Sequence, residues 1–371
     1  MDKRILVTVP SLPELDEFIP CLQKIWDSKW LTNNGSFHQQ LEAELAQFLG
    51  VKHVSLFANG TLALVTALQA LKITGEVITT PYTFVATANS LIWNNLKPVF
   101  VDVDPVYGNL DPDKIEAAIT PQTTAILPVH VYGYPANVNK IQNLAKKHNL
   151  QVIYDAAHAF GVQLNGESIL NHGDLSILSF HATKVYTTME GGAIISHDIE
   201  SKKHIDHLKN FGFLNETTVV AHGINSKMNE MQAALGLLQL KYHAENIEKR
   251  ASIAKLYEEG LAGEPGIRIL PAFPGLSDYS HGYFPIFVTE EDFAQSRDSL
   301  YFYLREQNVF ARRYFYPLIN KYPAYSDSSG QLQLTMAEKI SHEVICLPIY
   351  PTLDHHDVKQ IIDLIKGYRS K

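Results

Sequence analysis

The sequence predicts an α/β protein: a mostly parallel central sheet with helices on both faces, followed by a smaller C-terminal α+β unit. Three observations carry that prediction. From about residue 37 to 240, apolar runs of strand type alternate with helical patterns, the rhythm of parallel strands joined by crossover helices. The strand-like runs are apolar throughout, as strands covered on both faces must be. Near residue 228 the pattern gives way to one long helical tract, then to aromatic-rich segments of a different composition.

The elements follow in order. FHQQLEAELAQFLG reads as an amphipathic helix ending at Gly50, and HVSLF (53–57) as a short strand. A helical stretch from Thr61 to Leu71 starts directly after Asn59-Gly60. EVITT (76–80) and PVFVDVD (98–104) are strand-like, with a helical stretch from Ala86 to Asn94 between them. AILPVHVYG (125–133) and QVIYDAAH (151–158) repeat the pattern around the helix Val138 to His148. MNEMQAALGLLQLKYHAENIEKRASIAKLYEEGL is helical and interrupted only at Gly236. Such a tract often links a large unit to a small one, so the boundary is placed near 245, giving units 1–245 and 246–371.

The 371 residues exceed what one core usually organises, which agrees with two units. A formal charge of −8 with no block of Lys and Arg argues against a nucleic-acid partner. Cys21 and Cys346 stand alone, without the Cys/His spacing of a metal site, so no metal is expected and both are read as free thiols. The N-terminus lacks a signal-peptide core and no run reaches the ~20 apolar residues of a membrane span. No membrane association and a cytoplasmic location are therefore expected.

Ligands of such sheets sit beyond the C-terminal ends of the strands, and four segments place polar residues there. Asn59-Gly60-Thr61 joins a strand to a helix; a helix N-terminus with glycine is a phosphate seat, or Asn59 or Thr61 is simply the helix cap. Tyr154-Asp155-Ala156-Ala157-His158 puts a carboxylate at a strand mouth, where burial demands a partner. A protonated pyridine nitrogen would serve, since unit charges near 3 Å at effective ε ~20 attract by roughly 5 kcal/mol; a helix cap is the alternative. Ser179-Phe180-His181-Ala182-Thr183-Lys184 offers a lysine able to form a Schiff base and a serine able to hold a phosphate. Taken alone, Lys184 reads as a solvated surface lysine. In His222 to Met228, Asn225 could cap the long helix or reach a phosphate. The order is more informative than any one member: phosphate loop, aromatic Phe84, then Asp155, then Lys184. The 29 residues from Asp155 to Lys184 leave room for one strand between neighbouring sheet positions.

At this point the chain resembles the DegT/StrS family of sugar aminotransferases. The resemblance rests on NGTLAL (59–64), EVITTPYTFVATANS (76–90), KPVFVDVDP (97–105), VIYDAAHAFGV (152–162), SFHATK (179–184), EGGAI (190–194) and INSKMNEMQAALG (224–236). RRYFYPL (312–318) and CLPIYPTLDHHDV (346–358) echo it, so it covers nearly the whole chain. It implies a fold type I transferase using pyridoxal 5'-phosphate. Lys184 would attach the cofactor, Asp155 would pair with its pyridine nitrogen and His158 would approach its phenolic oxygen. Phe84 would stack on the ring, and Asn59, Gly60, Thr61 and Ser179 would hold the phosphate. Asn225 would reach the phosphate from the partner subunit, implying a homodimer with shared active sites.

The resemblance also implies a nucleotide-linked keto sugar as acceptor and L-glutamate as donor. NSKMNE, DAAHAFG and RRYFYPL are most similar to the branch that aminates C4 of a dTDP-4-keto-6-deoxyhexose to make an amino sugar for surface polysaccharide such as lipopolysaccharide O-antigen. C3 amination and sugar dehydration are the alternatives, the latter disfavoured because dehydrating members carry histidine where this chain has Lys184. The family often reads Asn-Tyr-Arg-Met and Tyr-Pro-Pro-Leu-His where this chain has Asn225-Ser226-Lys227-Met228 and Tyr316-Pro317-Leu318-Ile319-Asn320. Those departures bear on the substrate. Lys227, Arg312, Arg313 and Tyr314 are the candidate substrate contacts, with Arg312 or Arg313 for the donor carboxylate; Tyr314 and Phe315 could line the acceptor site or serve as core.

Overall fold

Seven strands form the central sheet of the computed structural model, which describes residues 3–328 and 333–369. They are β1 (His53–Phe57), β2 (Glu76–Thr79), β3 (Lys97–Phe100), β4 (Thr123–Leu127), β5 (Gln151–Asp155), β6 (Leu175–Ser179) and β7 (Gly192–Ser196), in the spatial order β1-β7-β6-β5-β4-β2-β3. Only β7 runs antiparallel to its neighbours. The alternation of side chains along each strand explains why these runs are apolar throughout. Ile126, Val152, Tyr154, Leu178 and Ile195 enter one core. Ala125, Leu127, Ile153, Ile177 and Ile194 enter another on the opposite face.

Helices cover both faces. Of α1 (Leu15–Ser28), α2 (Ser36–Leu49), α3 (Gly60–Ala70), α4 (Val85–Trp93), α5 (Val138–His148), α6 (Ile199–Leu208) and α7 (Glu230–Leu261), the inner faces of α2 and α5 fill the first core and those of α3 and α6 the second. Gly50 ends α2 in the left-handed conformation at φ 63°, the usual glycine stop. Several expectations need correction: the runs 125–133 and 151–158 are strands only as far as Leu127 and Asp155, where the chain turns at each strand end. The run 98–104 is a strand only as far as Phe100, because the chain then turns at Asp104, whose carboxylate accepts the N–H groups of Val106, Tyr107 and Asn109. The long helix is not interrupted at Gly236: α7 continues through it. The glycine instead permits close packing, since a Cβ there would sit 2.6 Å from the Tyr186 hydroxyl and 2.8 Å from Leu41.

α7 leaves the first core after Leu240 and enters a separate one with Ile253, Ala254, Tyr257 and Leu261. There β8 (Ile267–Ile269), β9 (Phe284–Val288) and β10 (Val344–Leu347) form an antiparallel sheet. α8 (Arg297–Glu306) and α10 (His355–Arg369) pack on it through Leu300, Leu304, Val358, Ile361 and Ile365, while α9 (Thr335–Glu343) leads into β10. Ile5 joins this core from the far end of the chain, where Ile5–Leu6 pairs in parallel with Val309–Phe310. A further aromatic cluster, with Tyr82 and Tyr132 from one side and Phe287 and Phe315 from the other, fills the seam beside the strand ends. Among the described residues no helix is long and apolar enough to cross a membrane.

Candidate active site

Asp155 is the last residue of β5, and Lys184 lies five residues beyond the end of β6, the adjacent parallel strand. The interval between them is thus filled as the spacing suggested. Asp155 is 6% exposed. The Thr87 hydroxyl donates to its Oδ2 at 2.7 Å and the Ala157 N–H to its Oδ1 at 3.1 Å. Burial raises its pKa; these two hydrogen bonds and the nearby Lys184 pull the other way. Thr87 is in the first turn of α4, whose N-cap is the exposed Phe84, so the helix that anchors the carboxylate starts at that aromatic residue.

The Lys184 amine donates to the Tyr283 hydroxyl at 3.1 Å. Burial lowers its pKa from the ordinary lysine range to about 8, with Asp155 and Tyr314 opposing. His158 is buried, and its Nδ1 accepts the backbone N–H of Tyr132 at 3.1 Å. A backbone N–H only donates, so Nδ1 carries no proton and the neutral ring holds its proton on Nε2. Burial, then the charges of Lys184 and His130, hold the imidazole pKa well below its usual value. The His158 ring packs between Tyr283, 4.6 Å away, and Phe315, parallel to it at 5.9 Å.

A third group converges beside these. Asn59 is the N-cap of α3, its side chain accepting from Leu62 N at 2.9 Å. The N–H groups of Gly60 and Thr61, in the first turn, have no intrahelical acceptor. Gly60 packs on Ser179: a Cβ there would lie 3.0 Å from the serine Cβ. Gly192, at the start of β7, crosses the same point, and a Cβ on it would fall 2.7 Å from Gly60 N. Two glycines therefore let a helix N-terminus, a strand-end serine and the exposed Thr61 hydroxyl gather around one space.

The other candidates are placed as follows. Asn225 does not cap the long helix; Asn229 does, in a capping box with Gln232. Asn225 is exposed, and its side-chain oxygen accepts from Lys227 Nζ at 2.8 Å. Lys227 also donates to Asn210 at 2.8 Å and stands over the Phe211 ring. The segment runs along the end of β1, since Ala58 N donates to Ser226 O at 2.7 Å. Arg313 is engaged by Asp298 at 2.7 Å and sits over the Tyr301 and Tyr316 rings, whereas Arg312 is exposed beside Tyr314. Tyr314 lines a small cavity with Thr183, Tyr283, Cys346 and Ile349, next to Lys184. Phe315 is buried against His158.

Sequence reasoning passed over Thr87, Tyr132 and Tyr283. Thr87 lay inside a segment already singled out, and a hydroxyl one helical turn after Phe84 was a usable signal. Tyr283 comes 99 residues after Lys184 and carries no local signal at all.

A lysine amine facing a carboxylate and an imidazole, with a helix N-terminus alongside, is the donor set of a phosphorylated pyridine aldehyde. The model of the DegT/DnrJ/EryC1/StrS aminotransferase family matches residues 14–366. The chain belongs to this family. It is accordingly a pyridoxal-phosphate-dependent aminotransferase, and the residues present fit the cofactor: Gly60 and Gly192 let the start of α3 pack closely on Ser179 and β7, and the buried Asp155 and Lys184 lie in each other's field. The chain is 52% identical over 367 residues to a dTDP-4-amino-4,6-dideoxy-D-glucose transaminase of Shigella dysenteriae, covering 99% of both chains. Among solved structures it is similar to DesI, determined in the presence of its TDP-sugar product, at TM-score 0.95 and 33% identity, covering 100% of this chain and 94% of that one. It is also similar to NtdA of Bacillus subtilis with bound cofactor PMP, at TM-score 0.89 and 29% identity, covering 100% and 87%. These aminotransferases thus share the predicted architecture across the whole chain.

Proposed function

We propose that this aminotransferase moves the amino group of L-glutamate onto C4 of a dTDP-4-keto-6-deoxyhexose. The observation that carries the acceptor is the 52% identity, over nearly the full length, to a transaminase named for the corresponding 4-amino product. The site's polarity agrees. An anionic nucleotide needs local cations despite the net charge of −8, and Lys227 would supply one.

Bound pyridoxal phosphate supplies an electron-withdrawing ring that stabilises negative charge at the donor's α-carbon. The residues do the rest. Asp155, itself held by Thr87 and Ala157, would balance the positive charge of the pyridine nitrogen. Lys184 would attach the cofactor and would be the group that moves the proton; burial already holds its amine near pKa 8, in the range of a usable base. Tyr283 gives the free amine a hydrogen-bond partner. His158 offers an Nε2–H to an oxygen. Gly60, Thr61, Ser179 and the start of α3 would take the phosphate. Arg312 is the better-placed cation for the donor carboxylate, since Arg313 is spent on Asp298.

Homodimeric assembly with Asn225 completing the partner's phosphate site belongs to the same reading. Its support is the exposed apolar surface: Trp26, Trp30 and Leu31 near the end of α1, Leu214 and Val219 on a hairpin, and Ile224 and Met231 beside Asn225. The division at residue 245 is also proposed, supported by the separate cores at the two ends of α7. The test is a panel of dTDP-, UDP- and GDP-linked keto sugars with glutamate, the amino product identified by NMR. A C4-aminated dTDP product is expected; a C3-aminated or GDP-linked product refutes the acceptor, and no spectral change of the bound cofactor on adding glutamate refutes the donor.

A further inference from the structure

Tyr132 holds a backbone conformation that a bulky residue rarely adopts. Its φ is 57° and ψ 7°, in the left-handed region, and its side chain is completely buried. A single L-residue is disfavoured there because Cβ crowds the carbonyl oxygen. Such an outlier persists only where its surroundings over-determine it, and they do here. Val131 N donates to Asn109 Oδ1 at 2.9 Å, Gly133 N to His130 O at 3.0 Å, and the Tyr279 hydroxyl to Tyr132 O at 3.0 Å. The Tyr132 hydroxyl donates to the carbonyl of Tyr314 and meets the Tyr82 hydroxyl; its ring lies parallel to Phe315 at 6.4 Å.

The strained turn points the Tyr132 N–H at His158 Nδ1. The bond from Gly133 N to His130 O closes the turn on both sides of Tyr132, so a change of φ there has to be compensated at the Val131–Tyr132 peptide, which turns the N–H away from Nδ1 and leaves that nitrogen free to take the ring proton. We propose that Tyr132 is a positioning residue: its hydroxyl, anchored to Tyr314, holds the left-handed turn, and the turn fixes His158 as the tautomer that donates from Nε2. The position thereby couples the C-terminal unit, through Tyr314, to a cofactor-facing imidazole in the large unit. The inference rests on the reading of His158 as a cofactor contact for its catalytic meaning, but not for its structural content.

The experiment uses the full chain without cofactor, labelled with 15N-histidine, and reads the ring-nitrogen signals of His158. His158→Gln assigns them by loss. The wild type shows an unprotonated, hydrogen-bonded Nδ1 and a protonated Nε2. In Tyr132→Ala the penalty on the left-handed backbone remains and the anchors are gone, so the tautomer ratio shifts by about tenfold, an effect within reach of one residue's strain. In Tyr132→Gly that conformation carries no penalty, so the signals stay closer to wild type although more volume is lost. A role in packing alone predicts the reverse order. Tyr132→Phe keeps the ring and the fold, and its His158 signals move by less than in the alanine variant. Equal perturbation by Ala and Gly, or an unmoved signal in Tyr132→Phe, overturns the proposal. In the loaded enzyme kcat falls in Tyr132→Phe while KM for the sugar holds. If the enzyme proves not to aminate sugars, the tautomer measurement still stands or falls by itself.

Discussion

Replacing Asp155 by Asn should move stability and function in opposite directions. The carboxylate is buried, and burial raises its pKa. For a carboxylate with a raised folded pKa, the native state binds more protons than the unfolded one between the two values. Stability is therefore lost as pH rises through that window, and the ionised group is a liability at neutral pH. Asparagine removes the charge without orphaning a partner. Its oxygen can keep the Ala157 N–H, and its amide can donate to the Thr87 hydroxyl, which then turns its own proton to Thr83, 3.0 Å away. The cofactor-free variant should melt at the wild-type temperature or roughly 1–3 °C above it. Function should suffer. A gross attraction of roughly 5 kcal/mol for unit charges near 3 Å, less the desolvation of the carboxylate, leaves about 3 kcal/mol. That is about a hundredfold in rate. The assays are thermal melts of the cofactor-free protein, cofactor titration by fluorescence, and single-turnover kinetics with glutamate. Near-normal turnover, or a cofactor-free variant that is clearly less stable, would refute the reasoning.

Lys184→Ala should abolish turnover and the visible absorbance of the bound cofactor while leaving the circular dichroism unchanged; retained absorbance would move the attachment to another lysine. In the cofactor-free protein Lys184 should react with amine reagents in a titration centred at about pH 8. Because its folded pKa is depressed, the unfolded chain binds more protons above that value, so this group adds stability as pH rises from about 8 toward the ordinary lysine range. Lys184→Met should flatten that slope in pH-dependent melts. Arg312→Ala should raise KM for glutamate by at least about tenfold, the scale of a lost charge-assisted hydrogen bond, whereas Arg313→Ala should leave that KM unchanged and lower the melting temperature only slightly, because the half-exposed Asp298 stays paired with Arg297. Finally, mixing Lys184→Ala chains with Asn225→Glu chains should restore part of the wild-type activity, because a mixed dimer carries both lesions in one site; demonstrably mixed but dead dimers would place Asn225 in its own chain's site.

The sequence by itself determined the layers and the order of the chemistry. Strands buried on both faces must be apolar at every position, so HVSLF and the start of QVIYDAAH were legible as strands of a covered sheet, and the ends of such strands are where polar residues gather. Asp155, Ser179 and Lys184 could be found for that reason, and Gly60 because only glycine lets a helix start against a neighbouring strand end. Local periodicity says nothing, however, about which distant segments meet. That Thr87 anchors Asp155 depends on α4 packing across the sheet from β5. That Tyr283 receives the Lys184 amine, and that Arg313 rather than Arg312 is tied to Asp298, depends on how the C-terminal unit seats against the strand ends. Gly236 looked like a helix break because glycine is a poor helix former; only packing against Leu41 and Tyr186 makes it necessary in an unbroken α7. The left-handed turn at Tyr132 was invisible for the same reason: the carbonyl that anchors its hydroxyl is 182 residues away.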